Sequence, residues 1–197
     1  MNTTETKDNT LRHIGVSMPY TIASVIALGL VYPFVMTAIA QLIFPAQAGG
    51  SMRYSSGQIV GSSIIGQLWT KPEYFHGRPS AAGKGYDPTS TGGTNLGPTS
   101  KKLIDATKAT LVELRKENPD ANVPVPMDLV TSSASGIDPD ISLQGAIYQA
   151  PRIAKARHLQ VRAVVALIDK HVSGRTFGVL GDPRVNVLEL NLALDQR

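Results

Sequence analysis

The serine-rich stretch DLVTSSASGIDPDIS, residues 128–142, carries side-chain types that could do chemistry. Ser133 or Ser135 could act as a nucleophile, which requires a base within reach and donors for an oxyanion. His158 or His171 could supply the base only if the fold happened to bring one of them close, and the chain contains no G-x-S-x-G motif to present a serine on a sharp turn. A hydrolase therefore remains an alternative that rests on residue types alone.

The same stretch can also be explained as a shaped loop. Asp138 can cap a turn with Pro139 at its first position, and Ser142 can cap a following helix. Small hydroxyl residues beside Gly136 favour a tight loop that bonds its own backbone. A calcium site is not favoured, because Asp138 and Asp140 lack the third oxygen position and the glycine of an EF-hand loop. We expect this loop to serve structure or partner contact.

His76 and Arg78, in YFHGRPSA (residues 74–81), form a second candidate site. Arg78 precedes a proline, which favours an extended backbone, and its guanidinium could clamp a carboxylate. A structural salt bridge is the simpler interpretation of Arg78. The nearby GKG, residues 83–85, is too short for a phosphate-binding loop, and the four histidines include no H-E-x-x-H pair that would predict zinc.

The chain is basic, with a formal net charge of +4 over 197 residues, and it contains no cysteine. Four basic residues, Arg152, Lys155, Arg157 and Arg162, fall on predicted helical segments without aromatic residues for base stacking. We therefore expect a solvated basic face rather than a nucleic-acid site. Without cysteine there is neither a disulfide nor a thiolate metal site, which leaves the redox compartment open.

An apolar segment near the N-terminus decides where these groups can act. Residues 14–52 contain no Asp, Glu, Lys, Arg or His, and residues 16–44 are almost wholly apolar. A helix needs roughly 20 apolar residues to cross a bilayer, and core helices of soluble proteins keep a polar stripe. The segment therefore predicts a membrane span that tolerates Pro19 and Pro33 through packing against neighbouring helices.

Two further features bear on how this span is used. Ala46-Gln47-Ala48 resembles a signal-peptidase site, but the apolar run is nearly twice as long as that of a signal peptide, about 7–15 residues. An uncleaved anchor is therefore expected. Lys7 and Arg12 precede the span, which favours a cytoplasmic N-terminus. The predicted organisation is a cytoplasmic tail (1–13), a transmembrane signal anchor (14–44) and one extracytoplasmic domain (45–197).

The domain after the span shows both helix and strand patterns. Two short strands around Ser-Ser-Gly-Gln are predicted within residues 51–69, with Ile59, Val60, Ile64 and Ile65 as apolar positions, and residues 71–100 are predicted to form a long loop that Tyr74, Phe75 and Tyr86 help to order. A helix follows from residue 101, capped by Thr99 or Ser100 and ended near Pro119.

The C-terminal part alternates between the two patterns. PMDLVTS (126–132) predicts a strand, residues 142–174 predict two or three helical pieces with Gly174 as a C-cap, and leucines at 188, 190, 192 and 194 favour a strand without excluding a helix. The fold class is therefore predicted to be α+β, with one N-terminal transmembrane helix and a single mixed domain.

Eight pieces of sequence, taken in order, resemble a known family. They are VYP, FPAQAGGS, GSSIIGQLW, YFHGRPSA, GGTNLGP, DLVTSSASGIDPDIS, QAPRIAKAR and NVLELNLALD. Each piece alone is weak evidence for a resemblance, but eight pieces in the same order are specific. The resemblance covers the chain apart from the first dozen residues and residues 100–122. The chain resembles the KdpC family, the C subunits of the Kdp potassium-transporting ATPases.

The resemblance implies a bacterial inner-membrane complex that hydrolyses ATP to import potassium. Its other members are a potassium-selective, channel-like subunit (KdpA), a P-type ATPase subunit (KdpB) and a small single-span subunit (KdpF). This chain would be a non-catalytic accessory subunit needed for assembly, described for the family as a catalytic chaperone that raises ATP affinity. ATP and potassium would be handled by the partners, and the chain lacks the D-K-T-G-T stretch of aspartyl-phosphate chemistry.

The resemblance also supplies candidate site residues. Gln149, in YQAPRIA, is either nucleotide-related or structural, as an amide on a helix with basic residues. An extracytoplasmic domain cannot touch cytoplasmic ATP, so an effect on ATP affinity would pass through transmembrane helices. The remaining candidates, all in the matching pieces, are predicted partner contacts: Tyr74, His76, Arg78, Asn95, Ser133, Ser135, Asp138 and Arg152. The alternatives are a membrane-anchored hydrolase and an anchored solute-binding module.

Overall fold

The computed structural model describes residues 3–196, with side chains described from residue 10 onward. The described residues divide into two compact units, one ending at Ser51 and the other beginning at Met52. Helices and strands are numbered separately, in chain order.

The first unit is helical. Helix α1 (Thr3–Ile26) continues through a π-helical turn (Ala27–Val31) into α2 (Tyr32–Ile43), and the short α3 (Pro45–Ala48) follows. Pro33 cannot donate a backbone hydrogen bond, and the widened turn before it accommodates the proline ring. Pro19 lies inside α1 without ending it.

Residues 10–43 form a helix that is long and apolar enough to cross a membrane. At about 1.5 Å per residue these 34 residues exceed the roughly 30 Å of a bilayer core. Large apolar side chains along the helix are exposed within this chain, among them Tyr20, Leu28, Phe34 and Leu42. The predicted span, 14–44, ends one residue beyond this helix.

The second unit opens with the predicted hairpin. Strands β1 (Met52–Ser55) and β2 (Gln58–Ser62) pair antiparallel. Ser56 and Gly57 both have positive φ at the turn between them, which is the geometry of a two-residue hairpin loop. Of the four predicted apolar positions, Ile59 and Ile64 have mainly exposed side chains.

The predicted long loop is present. Residues 63–100, all described by the structure, contain no helix or strand. Phe75 is nevertheless fully buried within the core, so this segment is ordered by packing, as its aromatic residues predicted.

Helix α4 (Lys101–Glu117) confirms the predicted helix, with Ser100 at its N-cap position. Leu103, Thr107, Leu111 and Leu114 are half-buried along one face. The strand predicted for residues 126–132 was wrong: Met127–Leu129 form one turn of 3₁₀ helix, which buries Leu129.

Two helices form the centre of the second unit. They are α5 (Leu143–Ala156), which contains Pro151, and α6 (Val161–Lys170). The proline lies in the middle of α5 without ending the helix. Gly174 is not the C-cap of α6, because the helix ends earlier, with His171 at that position.

A small antiparallel sheet joins the ends of this region, in the order β3-β5-β4. Its strands are β3 (Asp140–Ser142), β4 (Val172–Ser173) and β5 (Arg184–Asn186). Ile141 and Val172 both pair with Val185, the buried central residue. The sheet therefore fastens the start of α5 to the end of α6.

The strand pattern of the C-terminal leucines was misleading. After β5 the chain forms α7 (Val187–Asp195), whose buried positions are 187, 188, 190, 191 and 194. That spacing is helical, and Asn186 caps the helix by accepting a hydrogen bond from the Glu189 N–H at 3.1 Å. The observed helices and small sheets agree with the predicted α+β class. The core lies among α5, α6, α7 and the long loop and includes Phe75, Ile141, Ile153, Ile168, Val185 and Leu190.

Candidate functional site

The polar candidates converge on one stretch of the long loop, residues 71–76. Two buried amide side chains bind consecutive residues of it. Asn191 on α7 accepts from the Phe75 N–H at 2.8 Å and donates to the Phe75 carbonyl at 3.0 Å. Gln149 on α5 does the same for His76, at 2.8 and 3.0 Å. Each amide imitates a neighbouring β-strand and satisfies both backbone groups of its residue.

Arg152, one turn after Gln149, binds the same stretch from the side. Its Nη1 donates to the carbonyl oxygens of Pro72 and Tyr74. Its Nε donates to Asn118 Oδ1 at 3.0 Å, and its Nη2 donates to Gln149 Oε1 at 2.7 Å. Burial lowers the pKa of this guanidinium. The prediction of a solvated basic face was wrong for Arg152, because only 8% of the residue is exposed.

Arg157 completes the set of donors. Its Nε donates to the Glu73 carbonyl at 2.7 Å, and its guanidinium also binds Leu194 O and the Asp195 carboxylate. The guanidinium carbon lies 4.8 Å from the centroid of the Tyr74 ring, a cation–π arrangement. The Tyr74 hydroxyl donates to Asp195, and the pKa of Tyr74 is raised by desolvation and by that carboxylate.

The His76 ring lies between two acceptors. Its Nε2 is 3.0 Å from the Lys71 carbonyl, and because a carbonyl only accepts, Nε2 carries a hydrogen. Its Nδ1 is 3.5 Å from Glu117 Oε2. Burial is the largest influence on the His76 pKa and lowers it; Arg152 lowers it further, while Lys71 O and Glu117 oppose the shift. Every carbonyl of residues 71–76 therefore faces a side-chain donor.

Arg78 forms the salt bridge that the simpler interpretation predicted. Its Nη1 lies 2.9 Å from Asp138 Oδ2, and both side chains are half-buried. The Tyr86 hydroxyl donates to the Arg78 carbonyl at 2.6 Å. Burial, with a contribution from Asp138, raises the pKa of Tyr86 to about 12, so the hydroxyl stays protonated and remains a donor. These contacts tie the long loop to the serine-rich loop.

The serine hydroxyls are used within their own loop. Ser133 Oγ accepts from the Gly136 N–H at 2.9 Å, and Ser135 Oγ accepts from the Ile137 N–H at 3.2 Å. The two hydroxyl oxygens lie 3.5 Å apart. Ser133 is buried and Ser135 is exposed. Within residues 10–196, whose side chains the structure describes, neither hydroxyl is hydrogen-bonded to a histidine, as a triad would require.

The predicted capping roles of the serine-rich loop are confirmed. Asp138 Oδ1 accepts from the Asp140 N–H at 3.1 Å, which closes a turn around Pro139. Ser142 is the N-cap of α5 and accepts from the Gly145 N–H at 2.9 Å. Asp128 in turn accepts from both the backbone and the hydroxyl of Ser142.

The structure thus brings together four of the nine predicted site residues. Tyr74, His76, Gln149 and Arg152 share one network. Asn95 lies elsewhere on the loop, exposed and with a positive φ of 52°. The assignment of these residues to partner contacts stays a prediction, and for Gln149 the geometry matches the structural alternative.

Sequence reasoning missed Asn191, Asn118 and Asp195. The one available signal is the position of Asn191: a short amide interrupts the leucine-rich run LELNLAL, where a buried polar group must find a partner.

A cavity of about 370 Å³ lies beside the network, between the long loop and α4. Its lining mixes cations and carboxylates and includes Trp69, His76, Arg78, Lys84, Glu113 and Glu117. Among the residues with described side chains, no group of three or more His, Cys, Asp or Glu could hold a metal ion. The arrangement is suited to holding a loop.

Comparison with known proteins extends over nearly the whole chain. The family model described as "KdpC: K+-transporting ATPase, c chain" matches residues 14–196. The potassium-transporting ATPase KdpC subunit of Myxococcus xanthus is 54% identical over 177 residues, which cover 89% of this chain and 84% of the relative. The KdpC subunit of Acidobacterium capsulatum is 53% identical over 187 residues, with 94% and 99% covered. The KdpC subunit of Methylobacterium nodulans is 48% identical over 198 residues, with 94% and 98% covered. The chain therefore belongs to the KdpC family, the c chains of K+-transporting ATPases.

Proposed function

We propose that this chain is a non-catalytic accessory subunit of an ATP-driven potassium uptake complex, anchored by one helix and acting through its second unit. The observation that carries the proposal is the use of its polar groups. Gln149 and Arg152 donate to the backbone of residues 71–76, and Ser133 and Ser135 accept from their own loop. These groups hold a surface in shape, which is what an assembly subunit requires.

The partners in this proposal are a channel-like potassium subunit, a P-type ATPase subunit that hydrolyses the ATP, and a small single-span subunit. A pull-down from membranes in mild detergent tests it: the tagged chain should co-purify with two large membrane proteins. Recovery of the chain alone would favour an anchored solute-binding module. Loss of a hydrolytic activity in a Ser133→Ala, Ser135→Ala double variant that still assembles would favour the hydrolase.

The proposed topology places the N-terminus in the cytoplasm and the second unit outside the inner membrane, over the outer mouth of the potassium subunit. Lys7 and Arg12, which precede the apolar segment 14–44, support this orientation. The chain contains no cysteine, so a Lys101→Cys variant carries a single label site, on the exposed first turn of α4. An impermeant maleimide should label it in intact spheroplasts, and protection from the label would contradict the topology.

The proposed effect on ATP affinity then acts across the membrane. A domain outside and a nucleotide site inside can only be linked through the helices, as a coupling free energy between sites. A protease site inserted between Gly49 and Ser51 allows the second unit to be cut away after assembly. We expect the KM for ATP to rise on cleavage in right-side-out membranes made permeable to ATP. An unchanged KM would mean that the chain acts in assembly only and does not alter the affinity for ATP.

A further inference from the structure

A hairpin between β4 and β5 extends from the second unit without support from the core. Residues 173–184 are exposed without interruption. A Cβ atom built on Gly174, Gly178 or Gly181 would meet nothing within 4 Å. The hairpin nevertheless has a defined shape, because Thr176 and Leu180 pair and the Arg175 guanidinium binds Asp182 at 2.7 Å.

The tip of this hairpin presents apolar side chains to solvent. Phe177 is 89% exposed, Val179 is 72% exposed and Leu180 is 59% exposed. Folding therefore gains almost nothing from these three residues, since apolar side chains stabilise a fold only when they leave water. Aromatic and aliphatic side chains grouped at a protruding tip are typical of a contact with another molecule.

Phe177 is also held in an unfavourable backbone conformation. Its φ is 54°, in the left-handed region that bulky residues avoid and Gly or Asn prefer. Gly178, with φ 78°, completes a turn that normally carries Asn-Gly. Phe177 thus combines an unfavourable backbone conformation with an exposed aromatic ring. Neither feature stabilises the fold of the isolated chain.

The charges of the hairpin indicate which kind of partner fits. Residues 173–184 contain two cations, Arg175 and Arg184, and one anion, Asp182. Arg175 is paired with Asp182, and Arg184, at the base of the hairpin, is paired with Asp140. Lipid-binding loops place unpaired Lys or Arg beside their apolar residues to attract anionic headgroups. A neutral tip lacks that attraction. A fixed left-handed turn also gives no advantage in fluid lipid, whereas a shaped protein pocket benefits from a side chain presented in one orientation.

We infer that Phe177, with Val179 and Leu180, inserts into an uncharged apolar pocket on the extracytoplasmic side of a membrane subunit of the same ATPase. The inference rests on the proposed function, because it assumes that the chain works inside that complex. The hairpin is then an assembly contact distinct from the network around residues 71–76.

The test compares Phe177→Asn with the control variant Val112→Asn, which removes another exposed apolar side chain, on α4. Asn suits the left-handed turn, so the Phe177→Asn chain should melt about 2–4 °C higher than the wild type. Its co-purification with the other subunits should fall about 10-fold, as for the loss of an interface anchor. Val112→Asn should co-purify like the wild type.

Unchanged co-purification of Phe177→Asn, or a lowered melting temperature, would overturn the inference. Failure of the wild-type chain to co-purify would instead contradict the proposed function, so the two failures are distinguishable.

A second measurement separates protein from lipid. An environment-sensitive dye on a Val179→Cys variant should shift to the blue in the assembled complex and stay water-like when the full chain alone is reconstituted in liposomes containing anionic lipid. A blue shift in those liposomes would assign the tip to the bilayer and overturn the inference.

Discussion

Gln149 and His76, separated by 73 residues in the sequence, exchange two hydrogen bonds at 2.8 and 3.0 Å, side-chain amide to backbone. The pair resembles a single residue of β-sheet in which a side chain replaces the second strand. Asn191 and Phe75 repeat the arrangement one residue earlier.

Replacing Gln149 with Leu should lower the free energy of unfolding by about 2–4 kcal/mol, because the N–H and the carbonyl of His76 lose their partners inside the protein. Gln144→Leu, at an exposed position of the same helix, should change it by less than about 0.5 kcal/mol. Chemical denaturation of both variants measures the difference. Equal stabilities would contradict the structural role of Gln149 and reopen a role in binding.

Arg152→Lys should cost about 3 kcal/mol although it keeps the charge. An ammonium group cannot reach the four acceptors that the planar guanidinium binds, so buried acceptors are left unpaired. Arg162→Lys, on an exposed face of α6, is the matched control and should be neutral. Thermal unfolding of the two variants in parallel checks this. An Arg152→Lys chain as stable as the wild type would show that the planar shape of the guanidinium is not required.

The stability should fall on acidification because of His76. Its pKa in the folded chain is lowered below 6.5, chiefly by burial and then by Arg152. As the pH drops below about 6.5, the unfolded chain therefore binds a proton before the folded chain does, and this uptake favours unfolding. The contribution is absent above pH 7.5, where the ring is neutral in both states.

A His76→Gln variant isolates this effect, since the amide can still donate to the Lys71 carbonyl but does not titrate. Between pH 7.5 and 5 the melting temperature of the wild type should decline more than that of the variant. Parallel declines would mean that other groups cause the acid sensitivity.

Ser133→Ala should destabilise the second unit by about 1–2 kcal/mol, because the buried Gly136 N–H loses its acceptor. Ser135 is exposed, so Ser135→Ala should change stability by less than about 0.5 kcal/mol. Neither variant should alter the ATPase activity of the assembled complex beyond the loss of folded chain. A selective loss of activity in the Ser135→Ala complex would contradict a purely structural loop.

Local signals in the sequence predicted much of the fold. Ser142 as a helix cap, the turn at Asp138-Pro139 and the hairpin around Ser56-Gly57 all depend on neighbours within a few residues. Leucines at every second position favoured a strand at the C-terminus, where the structure has a helix. Positions 188, 190 and 194 also lie on one broad face of a helix, and Val187 and Asn191 are the other buried residues of that face.

The candidate site was far less predictable. The bonds of Gln149 to His76 and of Asn191 to Phe75 join residues 73 and 116 positions apart, and no pattern in the chain links these pairs. The sequence does not distinguish a buried arginine from an exposed one, because the acceptors that make its burial possible are backbone carbonyls of a distant loop. The family resemblance identified the segments that matter, without the contacts among them.

The distance between Phe75 and Asn191 also sets an order of events during biosynthesis. The ribosome delivers the loop 116 residues before the amide that completes its fastening. Residues 71–76 therefore cannot be fastened until the chain has been synthesised as far as α7. A nascent chain arrested before α7 emerges would present this segment unfastened to proteases, so the synthesis of α7 separates a protected loop from an exposed one.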